Sequence, residues 1–159
     1  MRKLLFVVAL FLPLLLSCRQ EEIYKAKEAE EADIKETVFR YLFKHNHSGG
    51  QQHVDAFYLY FPDSTHRDPD DAFMVRFKGH HPPVKKVSQC IHSDRIKDRD
   101  SGKEGLLFGI DRIKWINPNQ VEVEGGYYEG SLSAAGYLYT VLKKRGRWVV
   151  TKDKTLWIS

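Results

Sequence analysis

The chain opens on an apolar run, Leu4 to Leu16 (LLFVVALFLPLLL), behind the basic start Met1-Arg2-Lys3. Helical spacing follows. From Arg19 to Asn46 the pattern predicts one long helix. Its first half, QEEIYKAKEAEEADIKE, is rich in the strong helix formers Glu, Lys and Ala. Its second half carries an apolar stripe of Ile34, Val38, Tyr41 and Leu42, the mark of a helix that packs one face on a sheet. The acidic run Glu28, Glu30, Glu31 and Asp33 reads as its solvated side, and Gly49-Gly50 as its exit.

Strand-like patterns dominate the rest. Ala56 to Phe61 is an aromatic run of strand length, stopped by Pro62. Asp68-Pro69-Asp70-Asp71 predicts a helix start with Asp68 as cap, burying Phe73, Met74 and Phe77 and ending at Gly79. His80-His81-Pro82-Pro83 is a rigid connector, Val84 to Ile91 a strand, and Asp94 to Glu104 a polar loop. A strand over Gly105 to Ile116 turns at Asn117-Pro118-Asn119. Gln120 to Gly130 alternates Val121 and Val123 with Glu122 and Glu124, which leaves one face wet. Gly125-Gly126 inside it suggests a bulge. Ala135 to Lys144 and Arg147 to Lys152 pair through a tight Arg145-Gly146 hairpin, and Trp157-Ile158 closes the chain.

The opening segment has the three parts of an export signal in order: a positive start, a short apolar stretch broken by Pro13, and Leu15-Leu16-Ser17-Cys18. That last element resembles the lipobox of bacterial lipoproteins. The resemblance implies cleavage after Ser17, acylation of Cys18 with palmitate-type chains, and attachment to a membrane through Cys18. Two or three acyl chains make a stable anchor where one does not. Arg19 rather than Asp follows the cysteine, which resembles lipoproteins that Gram-negative hosts send to the outer membrane, facing the periplasm. The expected organisation is a signal peptide over 1–17, an anchor and polar tether over 18–32, and a single α+β domain over 33–159.

The predicted order is helix, strand, helix, then a long antiparallel meander. Val121 to Tyr128 followed by Gly130, Gly136-x-x-Tyr139-x-Val141 and Gly146-x-Trp148-x-Val150 carry a likeness. Together they resemble the nuclear transport factor 2-like, or ketosteroid-isomerase-like, fold. It implies a long N-terminal helix packed in a curved, cone-like antiparallel sheet, with the short second helix between the first and second strands. One long helix stands here where that family usually has two or three. A cystatin-like helix-on-sheet layout is the alternative. Asp68-Pro69-Asp70, Ser88-x-Cys90 and the Trp157-Ile158-Ser159 end also resemble a lipoprotein family that brings no activity with it.

Charge narrows the partners. The formal net charge is +4, and without Arg2 and Lys3 the mature balance falls to about +2. The remaining basic residues alternate with acids, as in Arg95-Ile96-Lys97-Asp98-Arg99-Asp100, so no one-sign stripe exists to neutralise phosphates and no nucleic-acid partner is expected. With Cys18 acylated, Cys90 has no partner in its chain and reads as a small buried apolar residue. His45, His47, His53, His80, His81 and His92 form no metal-ligand spacing, and neither a metal nor a cofactor is expected.

No catalytic signature is present among the motifs of hydrolases, phosphate-binding loops or dinucleotide folds. Asp111 alternates with Gly109, Ile113 and Trp115 and could point inward; Asp111 and Glu129 are therefore the candidate bases if the domain is an enzyme. The leading expectation is a non-enzymatic, lipid-anchored envelope protein. It would bind a partner protein or a small apolar ligand in the sheet's concavity, with Trp115, Tyr127, Tyr128, Tyr139 and Trp157 as candidate pocket residues.

Overall fold

A computed structural model describes residues 5–50, 53–61 and 68–159, with the side chains of the first helix from Tyr24 onward. Residues 1–4 of the expected signal, the Cys18 side chain and the Pro62 strand stop lie outside the described residues. The chain divides into two compact units, Met1–Asp33 and Ile34–Ser159. Helix α1 is Leu5–His45. Among the described residues no helix is long and apolar enough to cross a membrane.

The second unit is α+β. Ile34, Val38 and Leu42 of α1 are buried, and Phe39 and Phe43 join them. Tyr41 sits at the border of this stripe and donates its hydroxyl to Asp153 Oδ1 at 2.7 Å. Phe39 and Phe43 pack on Phe57, Phe73, Phe77 and Phe108 with ring centroids 4.9–6.3 Å apart. Burying each such side chain is worth roughly 1.5–3 kcal/mol, which makes this cluster the main anchor of the helix.

Strands β1 Ala56–Tyr60, β2 Val84–Lys86, β5 Gly105–Asn117, β6 Gln120–Gly130, β7 Ser133–Lys144 and β8 Arg147–Ile158 form one sheet in the order β2-β1-β5-β6-β7-β8. It is mixed, not antiparallel as the sequence pattern predicts, because β1 runs parallel to both β2 and β5. The reason lies in the connections. Helix α2, Asp71–Val75, intervenes between β1 and β2, and such a crossover returns the chain in the same direction. From β5 onward tight turns make every pairing antiparallel. The turn between β7 and β8 is the predicted one, with Arg145 and Gly146 at φ 50° and 78° as its two left-handed residues.

Three local expectations are corrected. Helix α2 starts two residues later than the pattern suggests: Asp70, not Asp68, is the cap, accepting from Phe73 N at 2.7 Å. The Asp68 carboxylate is occupied elsewhere, by Ser88 N at 2.9 Å and Ser88 Oγ at 2.6 Å. The strand expected over Val84 to Ile91 is broken by a 3-10 turn, Val87–Gln89, and resumes as β3 Cys90–His92. The expected loop over Asp94 to Glu104 contains β4, Ile96–Asp98, which pairs with β3 as a separate antiparallel hairpin. Only Ile96 marks β4 as apolar, too little for the pattern to reveal it.

Register shifts bend the long strands. The extra residue near Gly125-Gly126 belongs to the neighbouring strand: Ile110 pairs Gly125 and Arg112 pairs Glu124, leaving Asp111 bulged. A second shift leaves Glu129 bulged between Tyr128 and Gly130.

Candidate functional site

The two faces of the six-stranded sheet differ. One carries Phe57, Phe108, Val121, Val123, Tyr139 and Val141 and is packed by α1. The other carries Tyr58, Tyr60, Leu107, Gly109, Gly126, Tyr128, Gly136 and Trp157, by strand alternation and register. On this far face Ala56, Tyr58, Leu107, Cys90 and Ile96 make a second small core beneath the β3–β4 hairpin. Next to it lies a cavity of about 540 Å³.

A row of glycines makes the space. Gly109, Gly126 and Gly136 stand in register on β5, β6 and β7. Tyr60 pairs with Gly109 at one end, and Trp157 with Gly136 at the other. A Cβ at Gly109 would collide with the Tyr60 ring, and one at Gly136 with the Trp157 indole. Two aromatic rings therefore fold over the outer glycines, and Gly126 is left as the floor between them. Tyr128, Leu107 and Val87 complete the apolar lining.

Polar groups enter from three places. Asp68 lines the cavity with its carboxylate fixed by Ser88. His92 comes from β3, its ring edge-on to Tyr128 at 4.5 Å. Asp111 comes from the bulge in β5. The bulge separates it from the residues that follow. The pattern predicts that Asp111 shares a face with Gly109, Ile113 and Trp115. The inserted residue breaks that alternation, so Asp111 stays with Gly109 on the far face while Ile113 pairs with Val123 over the core.

The electrostatics centre on Asp111. Among the described residues no cation pairs with it and none donates it a hydrogen bond. Its side chain is exposed by area, yet enough protein surrounds the carboxyl to push its pKa up by burial, with Glu124 adding to the effect. Burial, and then the Asp111 charge, pushes the Tyr60 hydroxyl up to about 12. Cys90 lies behind the wall, donating to Val87 O at 3.2 Å, and burial pushes its thiol up to about 11, so it is an inert packing residue.

The hairpin wall is held by one buried carboxylate. Asp98 Oδ2 accepts from Tyr58 Oη at 2.5 Å and Lys85 Nζ at 2.6 Å. Its Oδ1 accepts from Ser101 N and Ser101 Oγ, both at 3.0 Å. Lys85 first, and Tyr58 next, hold the Asp98 carboxyl well below the usual carboxylate range. Arg99 ties the same wall to the 3-10 turn through Ser88 O at 3.0 Å and Cys90 O at 3.1 Å.

Of the residues singled out from sequence, Asp111, Tyr127, Tyr128 and Trp157 line this cavity, and Glu129, Trp115 and Tyr139 do not. Tyr128 and Trp157 present their rings to the cavity; Tyr127 contributes to its lining while its ring runs alongside Tyr137 on the α1 face, at 6.5 Å. Tyr139 is core, edge-on to Tyr41 at 5.8 Å. Trp115 packs against Trp148 at 5.7 Å, outside the cavity. Glu129 lies in a different concavity of about 370 Å³, beside Arg95 and Leu132. Its Oε2 accepts from Ser48 Oγ at 2.8 Å and Ser133 Oγ at 2.7 Å. Asp111 and Glu129 thus line separate spaces and do not form an acid–base pair.

Sequence reasoning missed Tyr60, Asp68 and Ser88. The one signal for them was indirect: three glycines in the middle of strands, each a place without a side chain. Among the described residues no group of three His, Cys, Asp or Glu side chains is placed to hold a metal ion. No family model, curated protein or solved structure matches this chain.

Proposed function

We propose that the chain is a lipid-anchored envelope protein, held through Cys18, whose second unit binds a small, mostly apolar molecule without transforming it. The observation that carries the binding part is the cavity floored by Gly126 and walled by Tyr60, Tyr128 and Trp157. Its volume of about 540 Å³ is in the range of small-molecule sites, and its few polar groups enter at defined points, as such sites require. The anchoring part rests on the Leu15-Leu16-Ser17-Cys18 segment behind its apolar run. We further propose the cone-like architecture of the nuclear transport factor 2-like fold for this unit. The helix on one face and the bulges that bend β5 and β6 support it.

A second reading, a small acid–base enzyme, is favoured by one observation. Asp111 has no partner among the described residues and a raised proton affinity, and it lies in the same cavity as Tyr60. Glu129 gives that reading no second base, since it lines the other concavity.

Binding is tested with the full chain in an uncharged maltoside detergent. Saturation-transfer NMR with benzyl alcohol, a neutral aromatic probe, is compared between wild type and Trp157→Ala. Trp157 is 54% exposed, so its truncation leaves the core intact. Transfer is expected to the wild type and to fall to the level of empty micelles in the variant. Equal transfer to both proteins would end the pocket reading.

A further inference from the structure

The charge of this cavity points to one class of ligand, and the argument rests on the binding reading above. The chain contains 25 Lys and Arg residues and a net charge of +4, yet none of the described cavity-lining residues is Lys or Arg. Two are carboxylates, Asp68 and Asp111. Four basic residues of the surrounding elements have other partners, and Lys154, across from Leu138 in the row next to Gly136 and Trp157, is not among the cavity-lining residues. Lys86 Nζ pairs with Asp71 Oδ1 at 2.7 Å, and Lys85 Nζ with Asp98 Oδ2 at 2.6 Å. Arg112 is paired to Glu124, and Arg99 is spent on the carbonyls of Ser88 and Cys90. Among the described residues Asp68 accepts hydrogen bonds from Ser88, with Lys86 near enough to feel its charge, and Asp111 accepts none.

We infer that the cavity takes a small organic cation with an apolar body, a protonated or quaternary amine, with Asp111 and Asp68 as counter-charges and Tyr60, Tyr128 and Trp157 as its aromatic walls. The physical case has three parts. Asp111 has no cationic partner among the described residues, and an entering cation supplies that counter-charge. Aromatic faces attract a cation that has lost part of its hydration, and Trp and Tyr do so best. Anions meet the opposite field. A bare metal ion gains nothing from apolar walls and finds no third ligand among the described residues.

The test is calorimetry at about pH 8 on the full chain in uncharged maltoside. A phosphatidylcholine membrane is avoided because its headgroup is itself a quaternary amine. Four probes share one ring: benzyltrimethylammonium, benzylammonium, neutral benzyl alcohol and anionic benzoate. Both cations are expected to bind about tenfold or more tightly than benzyl alcohol, and benzoate weakest. Asp111→Asn is expected to bring the cations down to the level of the alcohol. Cation and alcohol binding equally to wild type, benzoate binding best, or a preference that survives in Asp111→Asn would each overturn the cation assignment while leaving a neutral pocket standing. If no probe separates wild type from Trp157→Ala, the pocket itself falls, and this inference with it.

Discussion

Gly126 shows how much one missing side chain decides. A Cβ there would strike the carbonyl oxygen of Ala135 and come within 3.1 Å of Gly136 Cα. Both are backbone atoms of the paired strand and cannot swing away. Gly126→Ala is therefore expected to destabilise the fold by about 1–3 kcal/mol, the usual scale for forcing atoms into packed structure. Urea unfolding of the two proteins checks this; an unchanged midpoint would mean that β6 and β7 separate easily. Tyr60 and Trp157 serve the same strip of sheet from its ends. Each ring covers a glycine that would otherwise leave bare backbone, and each exposes its other side to the cavity.

At the scale of elements, the β3–β4 hairpin is the part whose stability depends most visibly on pH. Its strands have three residues each, and a hairpin of that length is not stable alone. The buried Asp98 fastens it to Tyr58 of β1 and to Lys85 of β2. In the unfolded chain this carboxyl titrates near 3.8, and in the fold it binds its proton less readily. The stabilisation is thus fully present above the unfolded value and is lost as pH falls below about 4. The urea midpoint of the wild type is expected to drop more steeply than that of Asp98→Asn as the pH is lowered from about 5 to about 2.5. At neutral pH the variant is expected to be the less stable protein, because Lys85 loses its buried counter-charge. Parallel slopes for the two proteins would show that Asp98 does not carry this clamp.

For the whole molecule, the sheet has two uses. One face spends its aromatics on holding α1, and the other keeps a partly covered cavity. The proposed tether belongs at this scale, because it sets where that cavity works. Cys18→Ser is expected to abolish labelling by radioactive palmitate and to move the protein out of the membrane fraction. Labelling that persists in the variant would remove the lipid anchor and, with it, the assignment to the envelope.

Periodicity alone was enough to place α1 from Arg19 onward, though not its start at Leu5, and with it the apolar stripe, the strands β5, β6 and β7, the start of β8 and the Arg145-Gly146 hairpin. Each is local, set by side-chain spacing or by backbone freedom at a turn. The lipobox reading is local too, since a signal peptide is read as a linear segment. The mixed sheet was not legible, because parallel pairing of β1 with β2 and β5 depends on where the chain returns after long connections. The site was not legible for a related reason. Asp111 faces the cavity alongside Gly109, but the bulge turns Ile113 and Trp115, which spacing puts on the same face, to the other side, and Glu129 is drawn to a different concavity by Ser48 and Ser133. Tyr60, Gly109, Gly126, Gly136 and Trp157 are scattered along the chain, and only cross-strand register brings them into one line. The cavity is thus a property of register, which local side-chain spacing does not contain.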